Sequence, residues 1–104
     1  MIGVMVQSAD NRSNLRGRVI ARAAHPTLAG FDVLDVDVVS TEPADERPDL
    51  LASTVGHRIA VTVDRAVLDE AVQPGAGIDC TVRRTPDGAM ADRDPRSVRV
   101  TDRP

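Results

Sequence analysis

Aromatic residues are almost missing from this chain: Phe31 stands alone, with no Trp and no Tyr. Proteins that hold single-stranded nucleic acid stack bases on aromatic rings, at ~1–3 kcal/mol per base. One phenylalanine cannot build that surface. Cysteine is nearly absent too. Cys80 alone excludes an internal disulfide and a cysteine zinc cluster. Lysine is absent altogether, so the basic residues are all arginine, as a high-GC bacterial coding bias produces. They nearly balance the acids, leaving a formal charge of -3, too small to argue for a highly charged partner. No apolar run approaches the ~20 residues that span a bilayer. Met1–Val6 lacks the basic start and long apolar stretch of a secretory signal. The expected protein is a cytoplasmic, bacterial one, a single domain over residues 1–104.

What is present is valine, alanine, leucine and isoleucine in short runs of period two, the pattern of half-buried strands. Ile2, Val4 and Val6 suggest a first strand. Leu15, Gly17, Val19, Ala21 and Ala23 form an inward row, with Arg16, Arg18 and Arg22 facing the other way. The stretch "FDVLDVDVVS" changes phase, because Phe31 and Val33 share one face and Leu34, Val36 and Val38 the other. A bulge near Val33–Leu34 would reconcile them. An acidic, proline-broken segment follows. Ile59, Val61 and Val63 then alternate, and Asp64 can cap a short helix running to Val72, with Val67, Leu68 and Ala71 as its apolar stripe. Gln73-Pro74-Gly75 ends it. Ile78, Cys80 and Val82 point inward on the next strand. A loop, "TPDGAMADRDPR", leads to a last strand through Val98 and Val100.

Strands, then a helix leaving through Pro-Gly, then strands again: the order resembles the OB-fold, an all-β, five- to six-stranded Greek-key barrel with one short helix. The resemblance covers residues 15–100. Within it, "LRGRV" and "VTVDRAVLDEAVQPGAGIDCTVR" resemble the TOBE and Mop domains, OB-type barrels with a Leu-x-Gly-x-Val first strand. That resemblance implies either oxyanion binding or an accessory role in a larger assembly. The chain departs from the pattern in its extra acidic segment and at Asp10, where an anion site prefers a donor.

No catalytic signature accompanies the barrel. His25 and His57 lie in separate connections without metal-ligand spacing. Cys80 is in the inward phase, as a small buried hydrophobe. The serines lack a nucleophile elbow, and "PGAGID" lacks the lysine and helix of a phosphate loop. Asp35 and Asp37 share a strand face where they could pair with Arg16, Arg18 and Arg22 in a solvated ladder. The expected function is therefore a non-enzymatic binding module without cofactor or metal. Its partner-facing segment is read as Glu42 to Val55, with Glu42, Asp45, Glu46 and Asp49 around Leu50 or Leu51 as anchor. Those leucines could equally plug the barrel. The alternatives are nucleic-acid or small-anion binding through Arg83, Arg84, Arg93 and Arg96. The first is disfavoured by the missing aromatics and by Asp87, Asp92 and Asp94 among the arginines.

Overall fold

The computed structural model describes residues 11–103. Six strands carry the fold: β1 (Ser13–Ala24), β2 (Phe31–Pro43), β3 (Arg58–Asp64), β4 (Gly77–Thr85), β5 (Gly88–Ala91) and β6 (Val98–Asp102). Their order is β1-β2-β3-β5-β4-β6, and β4 pairs with β1 as well. Five strands thus close into a barrel, antiparallel except where β3 and β5 run parallel. This is the expected all-β, OB-like architecture, with β6 as an extra strand on β4. The strand expected at Ile2–Val6, together with Ser8 and Asp10, lies outside the described residues.

The barrel interior is filled by the alternating residues that face it. Leu15 and Val19 come from β1, Leu34, Val36 and Val38 from β2, Val61 and Val63 from β3, and Ile78, Cys80 and Val82 from β4. Each fully buried aliphatic side chain contributes ~1.5–3 kcal/mol relative to exposure. β-branched residues dominate, as a strongly curved sheet favours.

Four expectations need correction. No bulge lies at Val33–Leu34. The inward phase of β2 runs unbroken through Asp32, Leu34, Val36 and Val38, and the buried carboxylate of Asp32 occupies the place that a hydrophobic residue would mark. The register instead shifts between Val19 and Ala21 and between Arg16 and Gly17, leaving Ile20 and Val39 as extra residues. The Ile20 bulge reverses the phase of β1, so Ala23 is exposed and Arg22 turns to Asp32.

The helix expected from Asp64 to Val72 is only a 3-10 turn over Arg65–Val67. Asp64 does cap it, accepting from the Ala66 N–H at 3.0 Å. Leu68, extended at φ −91° and ψ 128°, ends it, and beyond it the Asp69 side chain accepts from Ala71 N–H and its carbonyl from Val72 N–H. Such local bonds compete with helix, and one turn does not repay helix nucleation. Finally, the fifth barrel strand is β5, within the stretch read as loop. The strand through Val98 and Val100 is the additional one. β5 and β6 lie along the same edge of β4, interrupted by residues 92–97.

Two corners use one device. In Gln73–Ala76 the Ala76 N–H donates to Gln73 O at 2.9 Å around Pro74 and Gly75, whose φ is +97°. In Thr54–His57 the His57 N–H donates to Thr54 O at 2.8 Å, with Val55 at φ −58°, ψ 129° and Gly56 at φ +86°. Both are type II turns, which need the glycine at their third position. Each leads into a bulge in which two residues oppose one buried valine. Gly75 and Ala76 bond Val19; Gly56 and His57 bond Val38.

Candidate functional site

The segment between β2 and β3 is long, irregular and fixed in place. The Ala44 N–H donates to Arg12 O and the Arg12 N–H to Pro48 O, so the chain clings to the start of β1. The turn Ala44–Arg47 carries Asp45 at φ +51° and Glu46 at φ +59°. The left-handed region costs a non-glycine residue ~1–2 kcal/mol. Asp45 is held there by an ion pair with Arg12, whose other terminal nitrogen binds Asp92.

Asp49 pins the rest. Its carboxylate accepts from Ser13 Oγ at 2.6 Å, Thr41 Oγ1 at 2.7 Å and the Leu51 N–H at 2.9 Å. Burial is the largest single influence and favours the neutral acid. The three hydrogen bonds together outweigh it and hold the carboxyl below its ordinary range. The bond to the Leu51 amide decides the fate of both leucines. Leu51 is 1% exposed and belongs to the core, while Leu50 is 38% exposed. Arg84 donates to the Leu50 carbonyl at 2.9 Å from the β4 side.

The six candidate residues therefore divide. Glu42 lies on the outer face of the sheet near Arg16, lining a polar groove with Asn14 and Thr41. Asp45 is tied to Arg12, Glu46 is exposed at the turn, Asp49 is turned inward, Leu51 is core, and Leu50 is presented to solvent. Two exposed aliphatics join Leu50 that the sequence did not single out. Val39, 61% exposed, is the extra residue of the β2 bulge, and Val55, 44% exposed, forms the type II corner. The backbone bonds from Gly56 and His57 to Val38 bring these two stretches together.

The four arginines of the alternative set do not converge. Arg93 pairs with Asp64 at 3.0 Å and lies 5.9 Å over the Phe31 ring. Arg84 is spent on Leu50, Arg83 reaches the Met90 sulfur, and Arg96 sits 3.7 Å from Asp94. Acids accompany several other arginines: Arg16 with Asp79, Arg18 with Asp102, and Arg58 with Asp37. Arg18 stands opposite Asp37 in register, yet the carboxylate goes to Arg58 on β3, at 2.7 Å. At the barrel end Asp32 is clamped by Arg22 and Arg65, both at 2.9 Å. Its burial opposes ionisation most, but the two guanidiniums prevail and keep its carboxyl below the ordinary value.

The remaining polar candidates serve the fold. His25 Nδ1 accepts from the amides of Thr27 and Leu28 and shapes the β1–β2 connection. Burial, with a smaller contribution from Asp79, pushes the Cys80 thiol up to about 12, which removes thiolate reactivity. Among the described residues no three His, Cys, Asp or Glu side chains gather as a metal site. No described helix is long and apolar enough to cross a membrane. No family model, curated protein or solved structure matches the chain.

Proposed function

We propose that this barrel is a non-enzymatic protein-interaction module whose partner-facing surface is the segment from Ala44 to His57, with Leu50 as its anchor. One observation carries the reading. Among the described residues, three of the four exposed large hydrophobics, Val39, Leu50 and Val55, lie in or against this one segment. A loop fixed by Asp49, Arg12 and a buried Leu51 has little ordering entropy left to lose on binding, which favours recognition. With Asp45 and Asp49 engaged internally, Glu46 supplies the exposed acid of this segment that would steer a basic partner.

The resemblance to OB-type barrels supports the architecture rather than an oxyanion site. Gly17 of "LRGRV" sits where a Cβ would lie 2.5 Å from Asp37 O, so that glycine serves strand contact. Pro74-Gly75 serves the corner already described. Nucleic-acid binding finds less support, since Arg83, Arg84, Arg93 and Arg96 are dispersed, with Arg84 engaged by the Leu50 carbonyl and Arg93 by Asp64.

The test places a photo-crosslinking residue at position 50 in the native host, and at Leu28 as a comparison site. The expected result is a protein captured only from position 50, whose purified form binds the Leu50→Asp variant at least about tenfold more weakly. Equal affinity for wild type and Leu50→Asp, with melting unchanged, would overturn the assignment.

A further inference from the structure

We propose that the free edge of β6 accepts an extended segment of another protein in which acidic and apolar side chains alternate. The site is separate from the Ala44–His57 segment and does not depend on it. β6 ends the sheet, with β4 on one side and no described strand on the other. The Thr81 N–H donates to the Ser97 carbonyl at 2.8 Å, so residues 97 and 99 direct their backbone groups toward β4. Alternation turns those of Val98 and Val100 outward. Strand edges are commonly blunted by proline, lysine or a covering loop. Val98–Asp102 contains neither of those residues.

Beside that edge, between β6 and the short turn at Arg65–Val67, runs a groove of about 500 Å³. Its apolar lining comes from Ala66, Val67, Leu68, Pro95, Val98 and Val100, of which Val67, Leu68 and Val100 are partly buried against the core. Alternate side chains of an added strand would rest there. Arg96, Arg99 and Arg103 stand along the same groove against one acid, Asp69. Arg96 and Arg99 are highly exposed, and their nearest carboxylates, Asp94 and Asp79, lie at 3.7 and 3.9 Å. Those separations exceed a good charge-assisted hydrogen bond, leaving guanidinium donors for another carboxylate. The intervening side chains of the added strand are therefore acidic, and the recognition mode is strand addition. A second copy fits less well, because pairing β6 with β6 brings two sets of the same arginines together.

The test is an amide-resolved NMR titration of the full chain with a blocked heptapeptide alternating valine and glutamate. Shifts are expected at Val67, Leu68, Val98 and Val100. Affinity should fall at least about fivefold with lysine in place of glutamate, and at least about fivefold in the Arg99→Glu variant. N-methylation of alternate peptide amides should abolish binding. Val100→Pro should do the same by removing an outward N–H, and the N-methylated peptide decides the point if that variant does not fold. Equal binding of the lysine or N-methylated peptide would overturn the proposal. So would shifts confined to other strands, or no shifts at millimolar peptide. A dimer in sedimentation that Val100→Pro dissolves would give the edge to a second copy and overturn it as well.

Discussion

Gly88 passes so close to Ala60 that a Cβ built on it would lie 2.2 Å from the Ala60 carbonyl oxygen, and its φ is +140°. This is where β5 meets β3, pairing Val61 with Ala89 and Thr62 with Met90. The only parallel seam of the described barrel thus rests on the absence of one side chain. Gly88→Ala should lower stability by about 2–3 kcal/mol through forced separation of the two strands. Urea unfolding reads this as a lower midpoint; an unchanged midpoint would mean that the seam tolerates opening.

Leu50 and Leu51 should respond oppositely to truncation. Leu51→Ala empties part of a packed core and should cost about 2–5 kcal/mol. Leu50→Ala should stay within about 0.5 kcal/mol, as surface changes do. Thermal melts of the two variants check the division directly, and equal losses would contradict the inward bond from Asp49 to the Leu51 amide.

Acid should unfold the protein by releasing two clamps. Asp32 and Asp49 both have carboxyls held below the ordinary value in the folded chain. Their contribution is fully present above the unfolded carboxylate pKa of about 3.9 and is lost as pH falls through the lower folded values. Urea midpoints should therefore vary little on their account from pH 7 to 5 and decline below about pH 4. Asp49→Asn should flatten part of that decline. A decline of equal steepness in that variant would remove Asp49 from the explanation.

Cys80 should be silent toward thiol reagents in the native state. It is buried, and its thiol is pushed up to about 12. At pH 8 a chromogenic disulfide should react with no thiol until denaturant is added, then with one per chain. Rapid labelling of the native protein would show frequent opening of β4.

Alternation made the barrel legible because most of its strands follow it. Leu34, Val36 and Val38 announce β2, and Ile78, Cys80 and Val82 announce β4. β5 stayed hidden, since Gly-Ala-Met-Ala holds no β-branched residue and owes its pairing to β3 and β4. The Ile20 bulge is a fact of register between distant stretches, and nothing local at Ile20 declares it. The segment around Leu50 could be picked out by its acids and leucines. Which leucine faces outward depended on Ser13 and Thr41 drawing Asp49 inward, a contact across 36 and 8 residues. Val39 was not legible as the extra residue of a bulge, because its register depends on β1, and Val55 was read only as the end of the partner-facing segment, without the corner that exposes it.

The break between β5 and β6 has a kinetic consequence. β1 meets β4 across more than sixty residues, with Ser13 opposite Val82 and Leu15 opposite Cys80, and assembly must close that loop. Topologies dominated by such distant pairs fold in milliseconds to seconds. Met90 and Ala89 can reach Thr62 and Val61 only after β4 has turned back on itself, so the short parallel seam is expected to form after the β4–β5 hairpin and to contribute little to the transition state. Stabilisation acquired after the transition state appears in the rate of leaving the native state. In stopped-flow traces Gly88→Ala should accelerate unfolding and leave refolding nearly unchanged, making four residues of β5 the latch that sets how long the barrel stays shut.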